Sequence, residues 1–451
     1  MFNILSRKHS QSSGQRTKPT HVRYSILAML FFVTAFNYAD RATLSITGTA
    51  IQKEFGIDAA SLGIVFSAFS WFYVAAQIPG GWLLDKFGTR IVYAFSIGLW
   101  SLFTLLQGVS GFVLGGSAIA TFFILRAAVG VAEAPSFPGN SRLVASWFPT
   151  DERGMASAIF NSAQYFATVL FAPLMAWIAH YYGWREVYYV MGITGIVLAL
   201  VWLQFIHEPN QHPRVNELEL MHIQQGGAVR TMLFKDSPSR QPSTMKYLPQ
   251  LLRNRMLLGV YFGQYFINTL TYFFLTWFPV YLVQARGMTI LKAGFIATLP
   301  AIAGFLGGIL GGWISDRMIK RGFSLTVSRK TPIVVGMLLS TSIILCNYVD
   351  SPMVVVAVMA FSFFGKGVGA LGWAVVSDTA PKEIGGLSGA LFNMFGNIAG
   401  ITTPIVIGFL VSKTGSFSWS LVYVGANAIG AIVCYLFIVK EIKRVEIRAI
   451  P

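Results

Sequence analysis

The stretch Gly80-Gly81-Trp82-Leu83-Leu84-Asp85-Lys86 returns later in the chain as Gly311-Gly312-Trp313-Ile314-Ser315-Asp316-Arg317, an offset of 231 residues. Asn37 and Asn268 keep the same offset; Asn161 with Asn393, and Pro149 with Pro381, keep one of 232. One such match arises by chance in apolar sequence, but hardly four. The chain reads as a duplication, and each copy of the motif ends an apolar run on a glycine-rich turn and a charged pair.

What lies between the copies is mostly apolar. Of 451 residues, 54% are hydrophobic and only 12% charged, about half the charge of a soluble domain. The 44 glycines suit closely packed membrane helices. Crossing the hydrocarbon core takes about 20 apolar residues as a helix. Twelve runs are long enough: 24–46, 60–84, 91–110, 114–139, 154–180, 185–206, 256–283, 290–315, 331–349, 352–376, 386–411 and 418–439. They are too long for barrel strands, and helices are the other way to satisfy backbone groups in lipid.

The expected fold is therefore an all-α membrane protein. Twelve transmembrane helices form two pseudo-symmetric six-helix bundles, with an alternating-access site at their interface. Residues 1–23 are a tail, 24–206 the first bundle, 207–255 a linker, 256–440 the second bundle and 441–451 a second tail.

The net charge of +16 does not call for nucleic acid, because its placement has a better explanation. Cations gather at Arg7, Lys8, Arg16, Lys18 and Arg23, along 207–255 and 317–330, and at Lys440, Lys443, Arg444 and Arg448. The alternate loops carry few: Lys53, Arg185, Arg286, Lys292 and Lys413. The positive-inside rule then puts both termini in the cytoplasm, in the cell's inner membrane, with the basic linker near anionic headgroups. The first apolar run lacks a cleavage signature and reads as an uncleaved span. A monomer is expected.

Catalytic and cofactor chemistry find no support. Cys346 and Cys434 sit in apolar runs, the six histidines fall in tails, loops or span ends, and no Walker or dinucleotide fingerprint occurs. The reading is a protein that is not an enzyme and needs neither metal nor cofactor.

Asp40, Arg41, Arg126, Glu133 and Lys366 lie inside apolar runs. Each costs roughly 2.5–3.5 kcal/mol near the bilayer centre on insertion scales, and intramembrane charge is functional by default. Arginine stays charged and its planar fork matches a carboxylate. Arg41 and Arg126 are candidate anion ligands; the alternative is that Arg126 only pairs with Glu133, two turns along the same helix face. Asp40 and Glu133 are candidate proton carriers, since a dry cavity raises a carboxyl pKa and a nearby cation lowers it; the alternative is permanent pairing with Arg41 and Arg126. Lys366, in the second half, is a candidate for the far end of a diacid. Equally, it could snorkel to the interface or pair with Asp378.

Amides lie at helical spacing at Asn161/Gln164, Gln264/Asn268 and Asn393/Asn397. They suit a polyhydroxylated ligand, because amides donate and accept; interhelical bonding is the other use of such residues. Tyr38, Tyr73 and Trp373 complete the candidate pocket. Asp85 with Lys86 and Arg90, and Asp316 with Arg317, read as gating pairs at span ends, with Asp151, Glu152 and Arg153 as possible additions.

Two short patterns carry a resemblance: Gly81-Trp82-Leu83-Leu84-Asp85-Lys86-Phe87-Gly88-Thr89-Arg90, with Thr89 where a basic residue is usual, and Arg126-Ala127-Ala128-Val129-Gly130. Both resemble the major facilitator superfamily. Asn37-Tyr38-Ala39-Asp40-Arg41-Ala42, Glu133-Ala134-Pro135-Ser136-Phe137-Pro138 and Trp147-Phe148-Pro149 with Glu152-Arg153-Gly154 resemble its anion:cation symporter family. Within that family the segments 161–168, 207–213 and 364–367 are similar to bacterial permeases for D-glucarate and D-galactarate. The resemblance runs from about Arg23 to Glu446. It implies the major facilitator fold, carboxylate binding by Arg41 and Arg126, proton coupling through Asp40 and Glu133, and ligand contacts at Tyr38, Tyr73, Gln164 and Asn393.

The expected function is proton-coupled import of a sugar-acid anion, most simply D-glucarate and D-galactarate. A hexonate or hexuronate transporter is the near alternative. A membrane enzyme or receptor is the distant one, lacking a catalytic cluster or folded extramembrane domain.

Overall fold

The computed structural model describes residues 18–110, 117–149, 152–227, 244–381 and 384–446, and at Asp85, Thr244 and Met245 the backbone alone. Residues 1–17 and 447–451 of the tails, the middle of the linker and Asp151 lie outside the described residues.

Twelve helices among the described residues are long and apolar enough to span a bilayer. They are α1 (Val22–Phe55), α2 (Ala59–Leu84), α3 (Thr89–Gly108), α4 (Ala118–Trp147), α5 (Arg153–Tyr181), α6 (Trp184–Phe205), α7 (Arg255–Gln284), α8 (Ile290–Lys320), α9 (Leu325–Tyr348), α10 (Pro352–Thr379), α11 (Gly385–Thr414) and α12 (Ser418–Ile438). This is the all-α, twelve-span architecture expected, and every apolar run finds its helix. The runs fall short where polar or proline residues sit inside a helix. α9 begins ahead of Arg329 and Lys330. α4 continues past Pro135, where the axis breaks between Glu133 and Ser136 and a second segment runs on to Trp147. α7 contains a π-helical turn at Phe273–Trp277 just before Pro279. Such turns form where the regular ladder is interrupted, often at functional sites.

Glycine sets the helix packing, and it does so in the same way twice. A Cβ on Gly80 would lie 3.1 Å from the backbone nitrogen of Pro135, bringing α2 against α4. A Cβ on Gly311 would lie 2.2 Å from the carbonyl oxygen of Val368, bringing α8 against α10. The duplicated motif thus occupies equivalent helix pairs in the two bundles.

The two ends of the molecule differ. At the end away from the tails the bundles pack shut. Leu44, Ile51, Leu62 and Phe66 of the first bundle share one buried cluster with Phe273, Trp277, Val280 and Ile407 of the second. Ser45 Oγ donates to the Thr276 carbonyl at 2.7 Å, Gln284 Nε2 to Gln52 Oε1 at 2.7 Å, and Ser412 Oγ to Asp58 Oδ2 at 3.2 Å. At the tail end, among the described residues, charged pairs lie within one bundle or between a bundle and the linker. Arg329 bridges Asp378 at 2.8 Å and Asp316 at 3.5 Å. Arg23 bridges Glu152 at 3.0 Å and Glu219 at 3.4 Å. Glu219, fully buried, docks the linker helix Glu217–Gln225 onto the start of α1. Burial pushes the Glu152 carboxyl up, but hydrogen bonds and charge from Arg23 and His222 outweigh it and hold the group below its usual range.

Candidate functional site

The charged cluster is built from α1, α3 and α4, in the middle of the first bundle. Gly130 lets α4 lie against α2, since a Cβ there would come 2.3 Å from the Phe69 carbonyl oxygen. That approach carries Arg126 and Glu133 inward. Glu133 and Asp40 are fully buried, and Arg41 and Arg126 nearly so.

Their pairing differs from the simple intrahelical alternative. Arg41 Nε donates to Glu133 Oε2 at 2.8 Å, joining α1 to α4. Arg126 instead donates through Nη2 to the Arg41 carbonyl at 3.3 Å. Asp40 takes a hydrogen bond from Thr104 Oγ1 on α3 at 2.9 Å and lies within electrostatic reach of Glu133, Arg126 and Arg41. Asp40 Oδ1, Glu133 Oε1, Arg41 Nη2 and Arg126 Nε and Nη1 have no hydrogen-bond partner among the described residues. Buried polar atoms are normally satisfied, so this cluster holds donors and acceptors in reserve.

Aromatic faces surround Arg41. Its guanidinium lies 5.0 Å from the Tyr38 ring, 4.6 Å from Phe69 and 4.9 Å from Tyr73, within cation–π range. Tyr73 is buried and stacked on Phe69. Tyr38 reaches the cleft between the bundles, which Ser45, Gln164, Tyr165 and Thr168 line from one side and Thr271, Phe274 and Phe363 from the other. The cleft encloses about 670 Å³ not filled by atoms, open solvent at its mouth included.

The amides divide. Gln164 lines the cleft, its Nε2 donating to the Asn161 carbonyl at 3.2 Å, and Asn161 is exposed. Gln264 donates to Asn268 at 3.1 Å, and Asn268 donates to the Gly396 carbonyl, tying α7 to α11. Asn397 donates to both the carbonyl and Oδ1 of Asn393. Trp373 is exposed and packs edge-on against Phe392. Lys366 is buried in α10, over the rings of Phe363 and Tyr165. Asp378, its sequence-level partner, is held by Arg329.

Among the gating residues, Arg90 donates twice to the Leu203 carbonyl, at 3.2 and 2.5 Å, within the first bundle. Asp316 faces Arg329, and Arg317 is exposed. The Asp85 side chain lies outside the described part.

Sequence reasoning did not find Thr104, which bonds Asp40, or Tyr272, whose hydroxyl donates to Asn397 Oδ1 at 2.8 Å and which feels the charges of Arg41 and Glu133 across the bundle interface. Hydroxyls and tyrosines are too common in spans to stand out; only their position relative to the charges marks them.

A family model for the Major Facilitator Superfamily matches residues 30–328. The chain belongs to that superfamily. It is 62% identical over 433 residues to the "Probable galactarate/D-glucarate transporter GudP" of Bacillus subtilis (strain 168), covering 96% of this chain and 95% of that protein. It is 58% identical over 443 residues to the protein of the same description from Escherichia coli (strain K12), covering 98% of each. Among solved structures, a bacterial homologue of the human lysosomal transporter Spinster, inward-facing and unoccupied, matches with a TM-score of 0.72 at 16% identity, covering 94% of this chain and 98% of that one. That likeness shows the fold. As a superfamily member the protein is a multi-pass membrane transporter, not an enzyme.

Proposed function

We propose that this superfamily member is a proton-coupled symporter that imports the aldarates D-glucarate and D-galactarate. It works as a monomer in the cell's inner membrane, with both termini cytoplasmic. The observation that carries the reading is the buried cluster of two arginines and two carboxylates beside a cleft between the bundles, together with the likeness over nearly the whole chain to probable galactarate/D-glucarate transporters.

The charge arithmetic of the cluster supports coupling. With Asp40 and Glu133 ionised, Arg41 and Arg126 are balanced. Protonating both acids leaves two positive charges, the complement of a dianion. Moving one charge across 100 mV is worth about 2.3 kcal/mol, so a dianion entering an electronegative cell alone would face about 4.6 kcal/mol. Two accompanying protons remove that opposition and leave the pH gradient as the drive. In this reading Arg41 and Arg126 hold a carboxylate, while Tyr38, Tyr73, Gln164, Gln264, Asn393 and Trp373 hold the hydroxylated chain. The pairs at Asp85, Arg90, Asp316 and Arg317 act as tail-end latches when that end closes.

The test is uptake of labelled glucarate into proteoliposomes under an imposed pH gradient, with product analysis. Accumulation of unchanged glucarate, abolished by a protonophore and competed by galactarate better than by galactonate or a hexuronate, is expected. Accumulation indifferent to the gradient overturns the coupling, and preference for galactonate or a hexuronate overturns the substrate.

A further inference from the structure

We propose that Lys366, in the second bundle across the cleft from Arg41 and Arg126, forms a second carboxylate subsite, and that this subsite selects dianions over monoanions. The inference rests on the sugar-acid reading above and sharpens it.

Lys366 is 6% exposed, within a membrane-spanning helix. Its Nζ lies 5.2 Å from the Phe363 ring centroid and 5.9 Å from that of Tyr165. Among the described residues no carboxylate pairs with it, and Asp378 is engaged by Arg329 at 2.8 Å. Ring quadrupoles answer an ammonium only weakly, and an uncompensated charge inside a membrane is expensive. Arg41, by contrast, has Glu133. Among the described residues of the second bundle, Lys366 is a buried cation that a passing anion can complete.

The rings beneath it say where the anion would be. Tyr165 and Phe363 line the cleft, as does Tyr38, whose ring carries Arg41. Each bundle therefore sets a cation behind an aromatic residue of the same cleft. The lysine stem starts from a fixed backbone: a Cβ on Gly367 would lie 2.1 Å from the Gly304 carbonyl oxygen, and one on Gly365 2.6 Å from that of Gly336. These glycines press α10 onto α8 and α9 and so leave the side chain as the adjustable part. A monoanion can engage one wall only. A molecule charged at both ends engages Arg41 in one bundle and Lys366 in the other. A ligand shifts a conformational equilibrium only through contacts that differ between states, so the second carboxylate is also the contact that draws the bundles together.

The experiment measures binding of glucarate and of gluconate, the same carbon chain with one carboxylate, to the purified full-length protein and to its K366Q and K366R variants. Wild type should bind glucarate at least roughly tenfold tighter than gluconate. K366Q should lose that preference by weakening glucarate while leaving gluconate within about twofold, and K366R should retain it. Equal weakening of both ligands by K366Q, or of neither, overturns the subsite. Should K366Q not fold, a wild-type preference near one overturns it independently. A wild type that binds neither acid overturns the sugar-acid reading instead.

Discussion

Glu133 has two carboxylate oxygens, and Arg41 answers one of them. That asymmetry separates a structural role from a coupling role by substitution. Glu133→Ala leaves the Arg41 guanidinium buried without its partner, and breaking a buried ion pair this way costs about 3–5 kcal/mol. Thermal unfolding of the purified variant should show a loss of that size. Asp40→Asn is the gentler change. It keeps the shape and still accepts the Thr104 hydroxyl, which donates at 2.9 Å, but it cannot carry a proton. We expect Asp40→Asn to abolish uphill accumulation while sparing counterflow exchange, measured in proteoliposomes with and without a pH gradient; proton-driven accumulation at the wild-type level would reject the role. Much of this cluster was legible in the sequence, because a charge in an apolar run is rare and costly enough to be read as purposeful. Its pairing was not. The sequence left Glu133 open between Arg41 and Arg126, and the structure pairs it with Arg41, since only three-dimensional packing decides which of two nearby arginines lies closer.

At the scale of helices, small residues decide which faces meet. Gly307 and Gly311 on α8 each bring a would-be Cβ to 2.2 Å from a carbonyl oxygen of α10, those of Phe364 and Val368. Neither helix can yield locally, because the clash is with backbone. Gly307→Ala should therefore separate α8 from α10 and cost about 1–3 kcal/mol, the range for overpacking a close contact. Gly312→Ala, one position beyond Gly311 with open space around it, should be silent. Thermal unfolding of the pair measures both, and equal stability of the two variants would reject the packing argument. The element count was readable because twenty-residue apolar runs have few alternatives in lipid. Element ends were less so. α9 starts with Arg329 inside it because that residue spends its charge on Asp378 and Asp316 rather than on solvent, and no window of hydropathy reports a partner. The duplicated motif pointed to two bundles, and the first glycine of each copy sits at a close helix contact, Gly80 against Pro135 and Gly311 against Val368.

For the whole molecule the seal is one-sided. The end away from the tails is closed by apolar packing across the bundles, by Phe66 against Trp277 at 5.4 Å between ring centroids, and by the Gln52–Gln284 amide pair. Alternating access requires that this seal part in each cycle, and these contacts are polar or van der Waals rather than covalent, so they can. Holding them together should stop transport without touching the charged cluster. Gln52→Cys with Gln284→Cys, in a background where Cys346 and Cys434 are replaced, places one thiol on each bundle at the outer rim. Both native cysteines are buried and unpaired, so their replacement is a packing change and not a loss of chemistry. Joining the new thiols with a short reducible bis-thiosulfonate linker should cut glucarate uptake at least roughly tenfold, and reduction should restore it. Either single-cysteine variant treated alike should be unaffected. Undiminished uptake by the linked double variant would mean that this end does not open, and the bundles would then have to move in some other way than by rocking about a central site.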